Sequence, residues 1–130
     1  MPYFGKRSKR NLSECDELLQ RVAYAAINGY GFTVICGHRN EKDQNEAYEN
    51  GFSTKKYPNG KHNSKPSKAF DAIPDDGGWE ADIEQFVLMA GYIKGVALIF
   101  GTKIRWGGDW DSDNDMNNET FIDLAHFEIG

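Results

Sequence analysis

The 130-residue chain has three histidines, and two of them lie in segments that also carry carboxylates: His62 precedes Asp71, and Asp123 precedes His126. Neutral imidazole nitrogen and carboxylate oxygen are donors that zinc takes at about 2.0–2.2 Å, and a catalytic zinc site uses three protein ligands and keeps its fourth position for water. His62, Asp71 and His126 meet that requirement, and Asp123, a turn ahead of the last ligand, can lean over the same point. Spacing alone leaves the ordinary reading open. A histidine beside aromatics is commonly a satisfied core or surface residue, and an aspartate at a strand end is commonly a turn or a cap.

Regular elements have to bring these side chains together. Leu12, Cys15, Leu18, Leu19, Val22, Ala25 and Ala26 recur at helical spacing, which predicts one amphipathic helix over 11–28 with Ser13 as its cap and Gly29 as its stop. Residues 32–36 are short, β-branched and glycine-bounded, which predicts a buried strand delivering Gly37, His38 and Arg39 to its end. Residues 41–50 read as a short, largely exposed helix. Pro58-Asn59-Gly60 and Pro66 keep 52–66 a loop, and 68–73 follows as a strand.

The stretch 79–100 predicts the main core helix, with Ile83, Phe86, Val87, Ala90, Ile93, Ala97 and Leu98 on its buried stripe and Gly91 and Gly95 allowing close packing. Strands at 103–106 and 125–129 flank a polar loop over 107–120. Alternation in the last strand sends His126 and Glu128 to one face and Phe127 and Ile129 to the core. The expected fold is α+β: two main helices and a short one on one side of a small antiparallel sheet, with the metal in a cleft on the open face.

Composition narrows the function. With 39% hydrophobic residues, the chain is expected to form one domain over 1–130. Twenty acidic against fifteen basic side chains, a net charge of -5, argue against a broad grip on nucleic acid. The basic run Lys6, Arg7, Lys9 and Arg10 reads as solvated surface. The N-terminus lacks a signal pattern, and the apolar stretch 86–100 is broken by Gly91, Lys94 and Gly95, so no membrane insertion is expected. Cys15 and Cys36 read as reduced core residues. Asp109, Asp111, Asp113 and Asp115 alternate like the opening of a calcium loop, but Met116 stands at the central glycine position and Ile122 at the closing acid. That run is read as a solvated acidic loop, with calcium the alternative.

The residues resemble a family of zinc peptidases, the D-alanyl-D-alanine carboxypeptidases and L-alanyl-D-glutamate endopeptidases that include many phage endolysins. His62-Asn63-Ser64-Lys65-Pro66-Ser67-Lys68-Ala69-Phe70-Asp71 resembles the first metal motif, with a longer spacing than usual and Ser67 where many members carry glycine. Asp123-Leu124-Ala125-His126-Phe127-Glu128-Ile129 resembles the second. Residues 33–39, ahead of a helix containing Gln44, and 104–110, a strand and glycine turn, are similar to two further blocks in the same order.

This resemblance implies a DD-peptidase-like (hedgehog-like) fold, one zinc held by His62, Asp71 and His126, and Asp123 as general acid/base. Arg39 becomes a catalytic candidate that anchors a substrate carboxylate or stabilises the oxyanion. Glu128 becomes a hydrogen-bond partner for a ligand or a plain surface acid, and His38 reads as a turn residue. Trp106, Trp110 and Phe127 read as packing residues rather than groove lining. The implied activity is hydrolysis of the peptidoglycan stem peptide at the L-alanyl-D-glutamate bond. A D-alanyl-D-alanine carboxypeptidase and a non-catalytic, zinc-stabilised wall-binding module of a phage particle are the alternatives. The implied setting is a monomer that stays in the cytoplasm until lysis gives it access to the wall.

Overall fold

The computed structural model describes residues 2–129. Among them are four α-helices, α1 (Lys6–Ser13), α2 (Glu17–Ala26), α3 (Glu41–Glu49) and α4 (Ile83–Ile99). Four strands, β1 (Phe32–Cys36), β2 (Ala69–Pro74), β3 (Ile104–Trp106) and β4 (His126–Ile129), form one antiparallel sheet in the order β1-β2-β4-β3. The architecture is the expected α+β one.

Period-two alternation splits the sheet chemically. Phe32, Val34, Phe70, Ala72, Ile104, Trp106 and Phe127 belong to the buried core, where Phe70 and Phe127 pack with ring centroids 5.6 Å apart. Leu12, Leu19, Val22, Phe86, Met89 and Ile93 from the helices complete that core. Each such side chain contributes about 1.5–3 kcal/mol on burial, so this face carries the stability of the fold. Asp71, Arg105, His126 and Glu128 fall at the opposite parity, which turns them to the other face.

The free edge of β1 is covered by α1. Ser8 Oγ accepts the Val34 amide at 3.0 Å, and Asn11 Nδ2 donates to the Val34 carbonyl at 2.8 Å, which satisfies backbone groups that an open edge would expose. The basic run thus lies on a helix. Lys6, Arg7, Lys9 and Arg10 are exposed while Ser8 is buried, as solvated charge on an amphipathic element requires.

The single helix expected over 11–28 is two helices. Ser13 ends α1, and its hydroxyl donates back to the Arg10 carbonyl at 2.5 Å. The cap is Asp16, whose carboxylate accepts the Leu18 amide at 2.9 Å. Between the helices, Ser67 N donates to Glu14 O and Asp16 N to Ser67 O, both at 2.8 Å, so the break stitches the chain to the start of β2. Helical periodicity runs unbroken through the break because Leu12, Cys15 and Leu19 all still face the core.

The buried stripe of α4 also differs from expectation. Phe86, Met89, Ala90, Ile93 and Ala97 are buried, whereas Ile83, Val87 and Leu98 are exposed. This helix is apolar nearly all round, with Leu88, Tyr92 and Ile99 exposed as well, so periodicity cannot select its inner face. Gly91 and Gly95 face open space rather than a close neighbour. Among the described residues no helix is long and apolar enough to cross a membrane. Cys15 and Cys36 are free; Cys15 is buried, which pushes its thiol up to about 12, and Cys36 is half-buried.

Replacing the α2 cap, Asp16→Ala, should lower stability by about 1 kcal/mol in urea unfolding, since one amide at the helix start loses its acceptor.

Candidate metal centre and cleft

Sheet register makes the first contact of the site. Asp71 on β2 pairs with His126 on β4 across the antiparallel ladder. Directly opposed residues hold their Cβ atoms about 4.5–5.5 Å apart, so the two side chains meet on the polar face without help from a loop. His126 Nδ1 lies 3.4 Å from Asp71 Oδ1. Glu128, two residues along the same face, takes the other ring nitrogen: its Oε1 is 2.8 Å from His126 Nε2.

His62 comes from a single 3-10 turn, Lys61–Asn63, in the loop before β2. That turn is fastened on several sides. Arg39 N donates to His62 O at 2.8 Å, Lys68 N to Lys61 O at 3.0 Å, and Asn63 Nδ2 to Arg39 O at 2.9 Å. The imidazole points inward, with Nδ1 at 2.7 Å from the Gly37 carbonyl and Nε2 at 3.2 Å from Asp71 Oδ1. A Cβ on Gly37 would collide with the Asn11 carbonyl oxygen, so only glycine lets the strand end pass α1 and present that acceptor.

His62, Asp71 and His126 are all buried, and each offers a ligand atom within 4.8 Å of the others, so the group can hold a metal ion. Burial opposes the charge on His62, but the adjacent Asp71 carboxylate outweighs it and holds the imidazolium up to about 10. Asp71 loses solvation by burial as well, yet His62 and His126 keep it well below the usual carboxylate range. The same two effects raise His126: burial works against its charge, and Asp71 and Glu128 prevail. Such a centre demands positive charge beside Asp71.

Arg39 supplies part of that demand. Its Nη2 donates to Asp71 Oδ2 at 3.2 Å and its Nη1 to Gln44 Oε1 at 3.1 Å. Gln44 is fully buried on the otherwise exposed α3 and donates through Nε2 to Lys55 O at 2.7 Å and Ser53 Oγ at 3.0 Å. The guanidinium is therefore held against the Asp71 carboxylate on one side and Gln44, fastened to the loop, on the other. Glu128 is braced similarly: burial raises its carboxyl, but His126 and Arg105, whose Nη2 sits 2.7 Å from Oε2, bring it down to about 2.

Asp123 is set by the glycine turn after β3. Gly107 N donates to His126 O at 2.9 Å and Asp123 N to Gly107 O at 2.8 Å, and a Cβ on Gly107 would strike the Asp123 carbonyl oxygen. The half-buried carboxyl is raised, first by burial and then by the Asp71 charge. With Arg39, Gln44, His62 and His126 it lines an open cleft of about 450 Å³.

The predicted residues Arg39, His62, Asp123 and His126 thus line one cleft, Asp71 sits against both of its histidines and Arg39, and Glu128 bonds a histidine of the cluster. His38 lies outside it, half-buried, with its amide donating to Glu14 Oε1 at 3.2 Å. Trp106 and Phe127 are core, as read from sequence. Trp110 is not merely packing: it lines the cleft, with its ring 5.2 Å from that of His126. Only tertiary geometry tells its indole from that of Trp106, since both lie within two residues of the Gly107-Gly108 pair. The structural weight of Gln44 is likewise invisible to hydrophobic patterning, because a polar residue occupies the inward position of its helix.

Removing the Glu128 carboxylate, Glu128→Ala, should leave the fold intact and weaken metal binding about 10–100-fold, the usual cost of losing a ligand's supporting acceptor, in competition titration against a chromophoric chelator.

Comparison with known proteins agrees with this geometry. In overall fold the chain is similar to the L-Ala D-Glu endopeptidase ChiX of Serratia marcescens, with a TM-score of 0.76 at 23% identity over 98% of this chain and 90% of that one. In sequence it is 31% identical to the L-alanyl-D-glutamate peptidase of Escherichia phage T5, over 97% of this chain and 96% of that protein. The family model described as phage L-alanyl-D-glutamate peptidase matches residues 1–129, so nearly the whole chain, from α1 to β4, belongs to the phage L-alanyl-D-glutamate peptidase family.

Proposed function

We propose that this chain is a zinc-dependent peptidoglycan peptidase of the endolysin type that hydrolyses the stem peptide at its L-alanyl-D-glutamate bond. The observation that carries this reading is the convergence of His62 Nε2 and His126 Nδ1 on Asp71 Oδ1, beside a cleft that both histidines line together with Asp123. Two nitrogens and one carboxylate oxygen form a donor set that suits zinc, and each histidine has an acceptor, Gly37 O or Glu128 Oε1, for its second ring nitrogen. The bond assigned follows the names of the T5 and Serratia relatives.

Zinc, when bound, lowers the pKa of a water toward about 7 and supplies a nucleophile at neutral pH. The chain's residues do the rest. Asp123 takes the proton of the attacking water and returns it to the leaving amine, a task for a carboxyl that is partly withdrawn from solvent and raised above its ordinary value. Arg39 fixes Asp71 and keeps further N–H donors for a substrate carboxylate or the developing oxyanion. The fixed histidine tautomers and the cross-strand register mean that little reorganises when substrate arrives.

In this reading residues 1–130 act as one catalytic domain that works as a monomer. The enzyme meets the wall once the host membrane is breached.

The test is mass spectrometry of fragments released from purified peptidoglycan by zinc-loaded protein. Wild type should expose new N-terminal D-glutamate. Asp123→Asn should keep one zinc per chain and lose at least about 100-fold in rate, while His126→Ala should lose the metal. A fully active Asp123→Asn protein would overturn the assigned acid/base, and released D-alanine in place of D-glutamate ends would reassign the enzyme as a carboxypeptidase.

A further inference from the structure

The cleft does not end at the metal centre. Beside it a second, shallower groove of about 590 Å³ runs along the β3 edge of the sheet, and Lys61, Arg105, Trp110 and Glu128 line both. Sheet register explains why the floor of this groove is basic. Arg105 pairs with Glu128 across the β3–β4 ladder, and it falls at the polar parity because its neighbours Ile104 and Trp106 are buried. Lys103, two residues earlier, keeps that parity and also lines the groove. Lys61 comes from a different element, the 3-10 turn, where it directly precedes His62 and its carbonyl accepts the Lys68 amide at 3.0 Å.

Three cations in one groove stand out on a chain with a net charge of -5. The two acids of the lining do not cancel them. Glu128 is already engaged with His126 and Arg105, and Asp111 stands at the exposed rim, where its Oδ1 accepts the Asp113 amide at 3.3 Å. Neither Lys61 nor Lys103 is paired with a carboxylate among the described residues.

Surface lysines are common and by themselves mark nothing; Arg105 is the distinguishing feature. Its Nη2 is held 2.7 Å from Glu128 Oε2, and its guanidinium carbon lies 5.5 Å from the centre of the Trp110 ring. An ion pair on one edge and an indole on one face fix the guanidinium plane. Half of the side chain is nevertheless exposed, 50% against 17% for Arg39. A guanidinium carries five N–H donors in a planar fork, so one engaged nitrogen leaves the others for an incoming anion. The entropy of ordering this long side chain is lost on folding rather than on binding, which favours a ligand that fits the fork.

We propose that Arg105, with Lys61 and Lys103 beside it, forms a carboxylate subsite that holds the leaving side of the stem peptide; the proposal rests on the peptidase reading above. A fixed fork flanked by two ammonium groups attracts a carboxylate and repels a second ammonium. Two carboxylates of a stem peptide meet this description: the α-carboxylate that γ-linked D-glutamate leaves free, and the side-chain carboxylate of a third residue of the diaminopimelate type. Both follow the scissile bond, and the L-alanine before it carries none. Lysine as third residue would instead bring an ammonium group toward Lys61 and Lys103. Arg39 does not duplicate this receptor, since its two Nη atoms already serve Asp71 and Gln44. Glu128 joins Arg105 to His126, so a carboxylate anchored on Arg105 also places the peptide relative to the metal centre.

Synthetic stem tetrapeptides separate the two sources: the D-glutamyl α-carboxylate free or amidated, each with diaminopimelate or lysine as third residue. Binding is measured by calorimetry on zinc-loaded Asp123→Asn protein, and kcat and KM are measured on zinc-loaded wild type. Removing the recognised carboxylate should weaken binding and raise KM about tenfold, the usual weight of one charge-assisted hydrogen bond, with kcat little changed. The substitution that produces this loss identifies the carboxylate. Lys61→Gln combined with Lys103→Gln should raise KM for the preferred peptide about tenfold and flatten its dependence on salt, while keeping one zinc per chain. Arg105→Lys, which keeps a charge for Glu128 but loses the fork, should also weaken the preference. Lys9→Gln, on the solvated face of α1, should behave like wild type. Equal binding and equal KM across the peptides, or a preference unchanged in both the Lys61/Lys103 and the Arg105 variants, would overturn the subsite. A carboxylate preference in binding without hydrolysis of any peptide would leave the subsite standing and remove the peptidase.

Discussion

One buried charge organises this molecule. Asp71 sits nearly out of solvent on a central strand, and an isolated carboxylate there would be driven to protonate. It stays ionised because His62, His126 and Arg39 converge on it from a loop, a neighbouring strand and the end of β1. Removing one partner of such a set leaves the remaining charge uncompensated, commonly a loss of 3–5 kcal/mol. The arrangement is thus a specificity device as much as a binding site. Any register slip of β2 by one residue would turn Asp71 into the aromatic core and Phe70 toward the histidines.

That constraint explains why the polar half of the protein is built from fixtures rather than from packing. Gly37 contributes a carbonyl, Asn63 and Lys68 tie down the 3-10 turn, Gln44 braces Arg39, and Gly107 lets the Asp123 segment close over β4. Few of these contacts bury much apolar surface. Their work is to remove freedom from side chains that would otherwise lose more entropy on binding a metal or a peptide. The stability that tolerates this concentration of buried polar groups comes from the opposite face, where Phe70, Phe127, Met89 and Ile93 pack without exposure.

The pattern of what was legible in the sequence follows the same division. Strands β1, β2, β3 and β4 were readable because short β-branched or aromatic runs bounded by turn residues have few other options. The side-chain alternation of His126, Phe127, Glu128 and Ile129 was readable from period two alone. The break between α1 and α2 was not, because Leu12, Cys15 and Leu19 keep helical spacing across it, and the reason to break is a pairing with Ser67, far away in sequence. The inward face of α4 was hidden by its apolar composition. Among the candidate site residues, His62, Asp71 and His126 needed the family's motif to rise above ordinary histidines and aspartates. The tautomers and the dual hold of Arg39 on Asp71 and Gln44 belong to geometry that no spacing encodes.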